Sequence, residues 1–367
     1  MSAPGLSTAI GRWAGLGPYY AMFPVDFAFD VVDRFTRPGD AVLDPFAGRA
    51  SSIYAAGATG RSGLGIEINP VGWLYGRVKL RPGSKQRVLK GLEELGHARP
   101  SGEASWSEDT REFFARCYCP KVLSFLTACR ETLDWRHSNV DATLMAIVLV
   151  YLHGKRPYSL SNQMRQGKAM SPAYSVRWWR EKRLEPPELD PVDFLRRRIE
   201  WRYAKGSPDL PSGKMMLGDA ATLVPRLSRK VANGETPRFR LLFTSPPYSG
   251  VTNYHCDQWL RLWMLGGPSH PVSGETFSRG RFYAKDEYLD LLTSVFADCA
   301  TVLEKDATVY VRSDARPFTY EAILTALKLA FPRKSLAVRS APYRRKTQTA
   351  LFGDDSTKPG EVDIILT

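Results

Sequence analysis

Cysteine and histidine are scarce, with five of each in 367 residues. Cys117, Cys119, Cys129, Cys256 and Cys299 are odd in number, show no C-x-x-C pair and have no histidine cluster near them in sequence. That argues against a zinc site and against a disulfide framework. No metal is implied, and the thiols are expected to be reduced. Long apolar runs are missing too. The longest, around Ala142 to Tyr151, is too short to cross a bilayer, and Met1-Ser2-Ala3-Pro4-Gly5 lacks a basic segment followed by an apolar one. A cytoplasmic protein with no membrane partner is expected. Internal repeats and low-complexity tracts are absent. Acid is in deficit: 38 Asp and Glu face 51 Lys and Arg, for a net charge of +13. Such an excess points to a polyanionic partner, because cations near phosphates displace condensed counterions, although a solubilising surface charge is the alternative. What is present is ordinary globular material. The chain is 43% hydrophobic and long enough for one large core or two smaller ones.

The patterning predicts alternating strands and helices. Val25 to Phe35 has helical apolar spacing, Arg37-Pro38-Gly39-Asp40 a turn, and Ala41-Val42-Leu43 a strand running into Asp44-Pro45-Phe46-Ala47-Gly48. A helix is predicted over Ser51 to Ala58, a strand over Gly63 to Ile68, and a helix from Asn69-Pro70 to about Val78. From Lys79 to Ser212 the alternation stops and the chain reads as helices and loops. It resumes with a strand at Lys214 to Leu217, a short helix to about Leu227, and a strand at Phe239 to Phe243 that delivers Thr244 to Tyr248. Predicted next are helices over Asp257 to Leu265 and Lys285 to Leu303, a strand over Thr308 to Arg312, and a helix over Glu321 to Ala330. Ser335 to Ser340 and Glu361 to Leu366 are expected to close the sheet as a pair. The expected fold is α/β, a Rossmann-like seven-stranded sheet with helices on both faces and a mainly helical insertion. This divides the chain into 1–80, an inserted domain at 81–212, and 213–367.

The candidate chemistry sits at strand ends. Asp44-Pro45-Phe46-Ala47-Gly48-Arg49-Ala50 lies where a strand turns into a helix, so its backbone can approach a small molecule closely. Glu67 follows about twenty residues on, where a carboxylate can accept from two ribose hydroxyls; capping of the next helix is the alternative. Asp219 fits an acceptor for an adenine amino group, with an N-cap as its competitor. In Ser245-Pro246-Pro247-Tyr248 two prolines hold an extended backbone whose carbonyls no local helix consumes. Ser245 Oγ and a proline carbonyl can take the hydrogens of an exocyclic amino group and direct its lone pair at an electrophile. Tyr248 is placed to stack on a flipped base.

These residues resemble the amino-methyltransferases of DNA, which form N4-methylcytosine or N6-methyladenine. Asp44-Pro45-Phe46-Ala47-Gly48 looks like the family's D-P-F-x-G cofactor loop and Glu67 like its ribose-binding acid. Gly218-Asp219 looks like its adenine-side acid, and Ser245-Pro246-Pro247-Tyr248 like its catalytic D/N/S-P-P-Y/F. Tyr19 to Val32 is similar to the segment bordering the methionine end of the cofactor. The resemblance covers roughly Tyr19 to Val78 and Lys214 to Thr367. It implies S-adenosyl-L-methionine held by Asp44, Phe46, Ala47, Gly48, Glu67, Ile68, Asp219 and Ala220, with Ser245, Pro246, Pro247 and Tyr248 at the reaction. One departure stands out. The family's second loop glycine is replaced by Ala50, whose Cβ is expected to narrow the backbone approach and to penalise a positive φ.

Over Tyr151 to Leu210 there are 13 Lys and Arg against 7 Asp and Glu, a net of 13 − 7 = +6. Arg177, Trp178 and Arg180 in one cluster and Arg196, Arg197 and Arg198 in another suit phosphate contact and stacking, as does a patch holding Arg344 and Arg345. A solvated basic face over a tryptophan core is the alternative. The expected activity is methylation of N4 of cytosine in double-stranded DNA, with the base flipped. Ser245 favours cytosine, since Ser-Pro-Pro in the family leans that way; N6 of adenine is the alternative. An RNA methyltransferase and a silent nucleic-acid binder rank below these. A cognate restriction endonuclease is a partner the resemblance brings with it.

Overall fold

The structure is a computed structural model, and it describes residues 4–18, 23–100, 106–249, 254–272, 284–341 and 360–367. Seven strands form one sheet: β1 (Ala41–Asp44), β2 (Ser62–Glu67), β3 (Gly213–Leu217), β4 (Phe239–Thr244), β5 (Leu303–Asp314), β6 (Leu336–Ala341) and β7 (Glu361–Leu366). Their order is β3-β2-β1-β4-β5-β7-β6. The first five run parallel, and β7 is antiparallel to both β5 and β6. This is the expected Rossmann-like seven-stranded α/β sheet, closed by an antiparallel pair. β1 is fully buried, as a strand covered by helices on both faces must be.

The direction of winding reverses between β1 and β4. The chain passes from β1 through α3 (Ser51–Ala58) to β2 and through α4 (Pro70–Leu80) on one face. α11 (Ala220–Ala232), α14 (Lys285–Val302) and α15 (Pro317–Ala330) cover the other. A crevice therefore opens at the carboxyl ends of β1 and β4, the usual ligand position in such sheets. Local chemistry sets the helix starts. Asn69 accepts from Val71 N at 3.0 Å with Pro70 in the first turn, and Asp219 accepts from Ala221 N at 2.9 Å.

Residues between β2 and β3 form α5 (Lys85–His97), α6 (Glu108–Cys117), α7 (Pro120–Thr132), α8 (Asn139–Tyr151), α9 (Pro172–Glu181) and α10 (Pro191–Tyr203). These helices share one continuous apolar cluster with α1 (Ala9–Ala14), α2 (Val25–Phe35), α3, α4 and α13 (Trp259–Met264). α2 docks on the sheet through aromatic rings. Phe23 stacks on Phe243 of β4 at 4.5 Å between centroids, and Phe27 meets the rings of Phe243 and Tyr310 edge-on.

Several elements differ from expectation: α11 continues past Leu227 to Ala232, and α15 starts at Pro317 rather than Glu321. α1 was not anticipated. β5 begins at Leu303 rather than Thr308, because Leu303 pairs with Phe239 ahead of a bulge that the charges Glu304, Lys305 and Asp306 conceal in the sequence. The helix expected over Asp257 to Leu265 is split at Gln258 into α12 (Tyr254–Asp257) and α13. Among the described residues no helix is long and apolar enough to cross a membrane, and no group of three or more metal-ligating side chains occurs. Cys117, Cys119, Cys129, Cys256 and Cys299 are free thiols.

Candidate active site

The loop after β1 is held by its own backbone and by two carboxylates. Ala47 N donates to Ile66 O at 2.9 Å, and Gly48 N donates to Glu67 Oε2 at 2.7 Å. Glu67 Oε1 accepts from Asn69 N at 2.7 Å. These two bonds aim the Glu67 carboxylate along the loop; a carboxylate oxygen can accept from more than one donor. Ile68 beside it is 43% exposed, an apolar side chain kept open between buried neighbours. Asp219 stands at the same strand edge, since Gly218 N donates to Glu67 O at 3.0 Å. Its Oδ1 caps α11, so the N-cap reading of this residue holds in the structure. Phe46 and Gly48 are half-buried, whereas Ala47 and Ala220 are covered by the core.

Gly48 and Ala50 both have left-handed backbone, with φ of 53° and 61°. The positive φ anticipated at Ala50 is present and costs about 1–2 kcal/mol relative to glycine. The expected narrowing of the loop is not. Ala50 is fully buried, and its Cβ lies where a Cβ on Gly76 of α4 would meet it at 2.9 Å. The methyl group points into the core, and the absence of a side chain at Gly76 makes room for it. Arg49 is also buried. Its Nη1 donates to Gly17 O at 3.1 Å, tying the loop to the turn before the segment expected at the methionine end. Tyr19 and Tyr20 of that segment lie outside the described residues.

Asp44 is the joint between the two motifs. It is 1% exposed at the end of β1. Its carboxylate accepts from Phe46 N at 3.1 Å, from Thr244 Oγ1 at 2.6 Å and from Ser52 Oγ. Burial pushes its pKa up to about 6 against the opposing pull of those three donors. Thr244 is the last residue of β4 and precedes Ser245, so one buried carboxylate fixes the Asp44 loop and the Ser245 loop to each other across adjacent parallel strands. Thr244 and Ser52 were not singled out in the sequence as partners of Asp44. A hydroxyl residue directly before the double proline was the available signal.

Ser245, Pro247 and Tyr248 are half-buried and Pro246 is buried. Ser245 Oγ lies 3.5 Å from Tyr248 Oη. Tyr288, fully buried in the first turn of α14, donates its hydroxyl to Pro247 O at 2.9 Å. That bond occupies the second proline carbonyl, while no hydrogen bond reaches the Pro246 carbonyl among the described residues. Ser245 Oγ and Pro246 O are two further acceptor atoms of this loop. Trp259 and Trp263 belong to the core, packed against Phe113 and Phe114.

The predicted nucleic-acid residues are dispersed. On α9, Arg177 is exposed over the ring of Tyr174, Trp178 is half-buried, and Arg180 pairs with Glu112. On α10, Arg196 pairs with Glu93 of α5, Arg198 lies over Phe194 and Tyr151, and Arg197 is exposed. Arg344 and Arg345 lie outside the described residues.

No curated protein matches the chain. A solved structure, the rRNA methyltransferase AviRa from Streptomyces viridochromogenes, aligns over 100% of this chain and 96% of its own at 13% identity with a TM-score of 0.34. Residues 7–71 match a family described as DNA methylase; the match spans α1 to the start of α4, with Asp44 to Ala50 and Glu67 inside it and Thr244 to Tyr248 beyond it.

Proposed function

We propose that this chain transfers a methyl group from S-adenosylmethionine to an exocyclic amino nitrogen of a base in double-stranded DNA, with N4 of cytosine the favoured target. The observation that carries the reading is the Thr244 to Asp44 hydrogen bond at 2.6 Å, which joins the loop of the DNA methylase match to the Ser-Pro-Pro-Tyr segment. The residues fit the cofactor. Glu67 offers acceptors to ribose hydroxyls, exposed Ile68 an apolar surface to the adenine ring, Asp219 a carboxylate at the same edge, and the left-handed loop a close backbone approach. When bound, the cofactor supplies an electrophilic methyl group on sulfonium.

At the other loop, Ser245 Oγ and the Pro246 carbonyl accept the two amino hydrogens. This orients the nitrogen lone pair and stabilises the positive charge that develops as the nitrogen is alkylated. Tyr248 swings from Ser245 to stack on the flipped base. No general base is needed before attack: the nitrogen lone pair would take the methyl group as its bond to sulfur breaks, leaving a neutral thioether, and the surplus proton would then pass from the alkylated nitrogen to water. The helices of 81–212 serve as the recognition part in this reading, and a cognate nuclease is a partner consistent with it.

The test is a nucleoside digest of duplex DNA incubated with the protein and the cofactor, read by mass spectrometry. N4-methylcytosine is expected. N6-methyladenine alone would move the target to adenine, and methylation of RNA but not DNA would overturn the substrate.

A further inference from the structure

Between Asp141 and Glu181 lie 39 residues with no acid and six cations: Lys155, Arg156, Arg165, Lys168, Arg177 and Arg180. Four of these fall in the segment 153–170, which leaves α8 and returns to α9 without regular structure of its own. Its interior is polar and fixed. Asn162 is fully buried, with Nδ2 donating to Arg116 O at 3.0 Å and to Leu184 O at 2.9 Å, and its backbone N donates to Cys117 O at 2.7 Å. His153, also fully buried, is bonded through Nδ1 to Arg165 O at 2.7 Å. Trp179 of α9 donates from Nε1 to Gln163 O at 2.7 Å. Outward the segment presents Lys155, Arg165 and Tyr158, the last 64% exposed.

The far end of this segment is fastened to the helices that follow the Ser-Pro-Pro-Tyr loop. Asp257, nine residues after Tyr248, accepts from Ala169 N at 2.9 Å and pairs with Lys168 at 2.6 Å. Gln258 donates to Gly167 O at 3.2 Å, and Trp259 Nε1 to Met170 O at 3.1 Å. Arg261, fully buried, reaches Gln166 O at 2.6 Å and Leu149 O at 3.0 Å. Five residues in a row of one segment thus bond to the junction of α12 and α13. A solvated basic loop has no need of this anchorage; a surface that must hold a substrate in register with the reacting loop does.

We infer that the segment 153–170 is the surface that grips the DNA backbone beside the target base, with Lys155, Arg156 and Arg165 on phosphates and Tyr158 against a sugar or base. The inference rests on the DNA-methyltransferase reading above. It places phosphate contacts on an element fastened to the helices that follow the Ser-Pro-Pro-Tyr loop.

The test compares two variants of equal charge loss in the full chain: Lys155→Gln/Arg156→Gln/Arg165→Gln in the segment, and Arg226→Gln/Arg229→Gln/Lys230→Gln on the exposed side of α11. Binding of a labelled mixed-sequence duplex is measured over a salt series. The segment variant is expected to bind roughly 10- to 100-fold more weakly near 100 mM salt, with a log–log salt slope reduced by about 2–3. The α11 variant is expected to change by under about threefold. Equal weakening in both variants, or an unchanged slope in the segment variant, overturns the assignment. Lys155→Glu alone, at an exposed position, gives the same test should the triple variant not fold: a slope reduced by about one supports the contact and no change contradicts it. If the wild type methylates duplex DNA and the segment variant binds like it, only the surface assignment fails. If the wild type neither binds nor methylates duplex DNA, the underlying reading fails with it.

Discussion

The two faces of the sheet are built by different means. Under α11, α14 and α15 the buried cluster is aliphatic and aromatic, closed by residues such as Leu292, Phe296, Ile323 and Leu327. The opposite face carries a larger apolar cluster and, within it, cations taken out of water: Arg49, Lys79, Arg202 and Arg261. Burial holds the pKa of all four below their ordinary range. Three of them spend their donors on main-chain carbonyls of distant segments, Arg49 on Gly17, Arg202 on Arg12 and Arg261 on Leu149 and Gln166. Apolar packing holds helices to a sheet but tolerates sliding, whereas a guanidinium bonded to particular carbonyls fixes irregular chain in one place. The first face acts as scaffold, and the second places loops around the crevice.

The comparison is broken most directly at Arg261. Arg261→Met leaves the Leu149 and Gln166 carbonyls without their donor and is expected to lower stability by about 2–4 kcal/mol in urea unfolding, and to reduce methyl transfer per folded molecule. Leu327→Ala on the scaffold face is expected to lose a similar amount, about 2–5 kcal/mol, with transfer per folded molecule unchanged. Equal retention of transfer in both variants would erase the distinction between the faces.

Asp44 gives the next largest effect. Its native pKa of about 6 exceeds the unfolded value near 3.9, so the native state binds the extra proton and stability falls as pH rises from about 4 through 6, then levels. Asp44→Asn removes a penalty of up to about 3 kcal/mol. It should melt a few degrees above the wild type at pH 8 and level with it below pH 4; a lower melting temperature at pH 8 would show that the ionised carboxylate is worth more to the loops than burial takes away. Glu67→Ala should weaken S-adenosylmethionine binding roughly 10- to 100-fold by calorimetry, through loss of charge-assisted hydrogen bonds. The smallest effect belongs to Ala50→Gly. Relief of the left-handed φ and loss of a buried methyl offset each other to within about 1 kcal/mol, with cofactor affinity unchanged. A marked gain in affinity would mean that the methyl does face the ligand.

Much of this was legible in the sequence, for identifiable reasons. Helix starts at Pro70 and Ala220 followed from Asn69 and Asp219 as caps, and the strands around the crevice from short apolar runs ending in acid or proline. The closing pair β6–β7 was legible as two short apolar runs near the end of the sequence, whereas the strand order was not, because local patterning does not say which strands become neighbours. α1 escaped because six residues give too few turns for a period, although Trp13 is fully buried. The anchorage of 153–170 escaped for a different reason. Serine, asparagine and glycine in an irregular stretch read as solvated loop, and only the structure places Ser161 and Asn162 in the interior, where a buried polar group must find a partner. Arg196 looked like a phosphate ligand because its partner Glu93 lies 103 residues away in sequence.

The central claim is that the Asp44 loop and the Ser245 loop form one transfer site with separable tasks. Its most direct test is methyl transfer from labelled S-adenosylmethionine to duplex DNA by wild type and Ser245→Ala, with cofactor binding measured on the same samples. Labelled DNA with the wild type, a loss of roughly 100-fold or more in Ser245→Ala, and cofactor affinity within about threefold is the predicted result. Absence of label with the wild type, or an equal loss of transfer and cofactor binding in the variant, would contradict it.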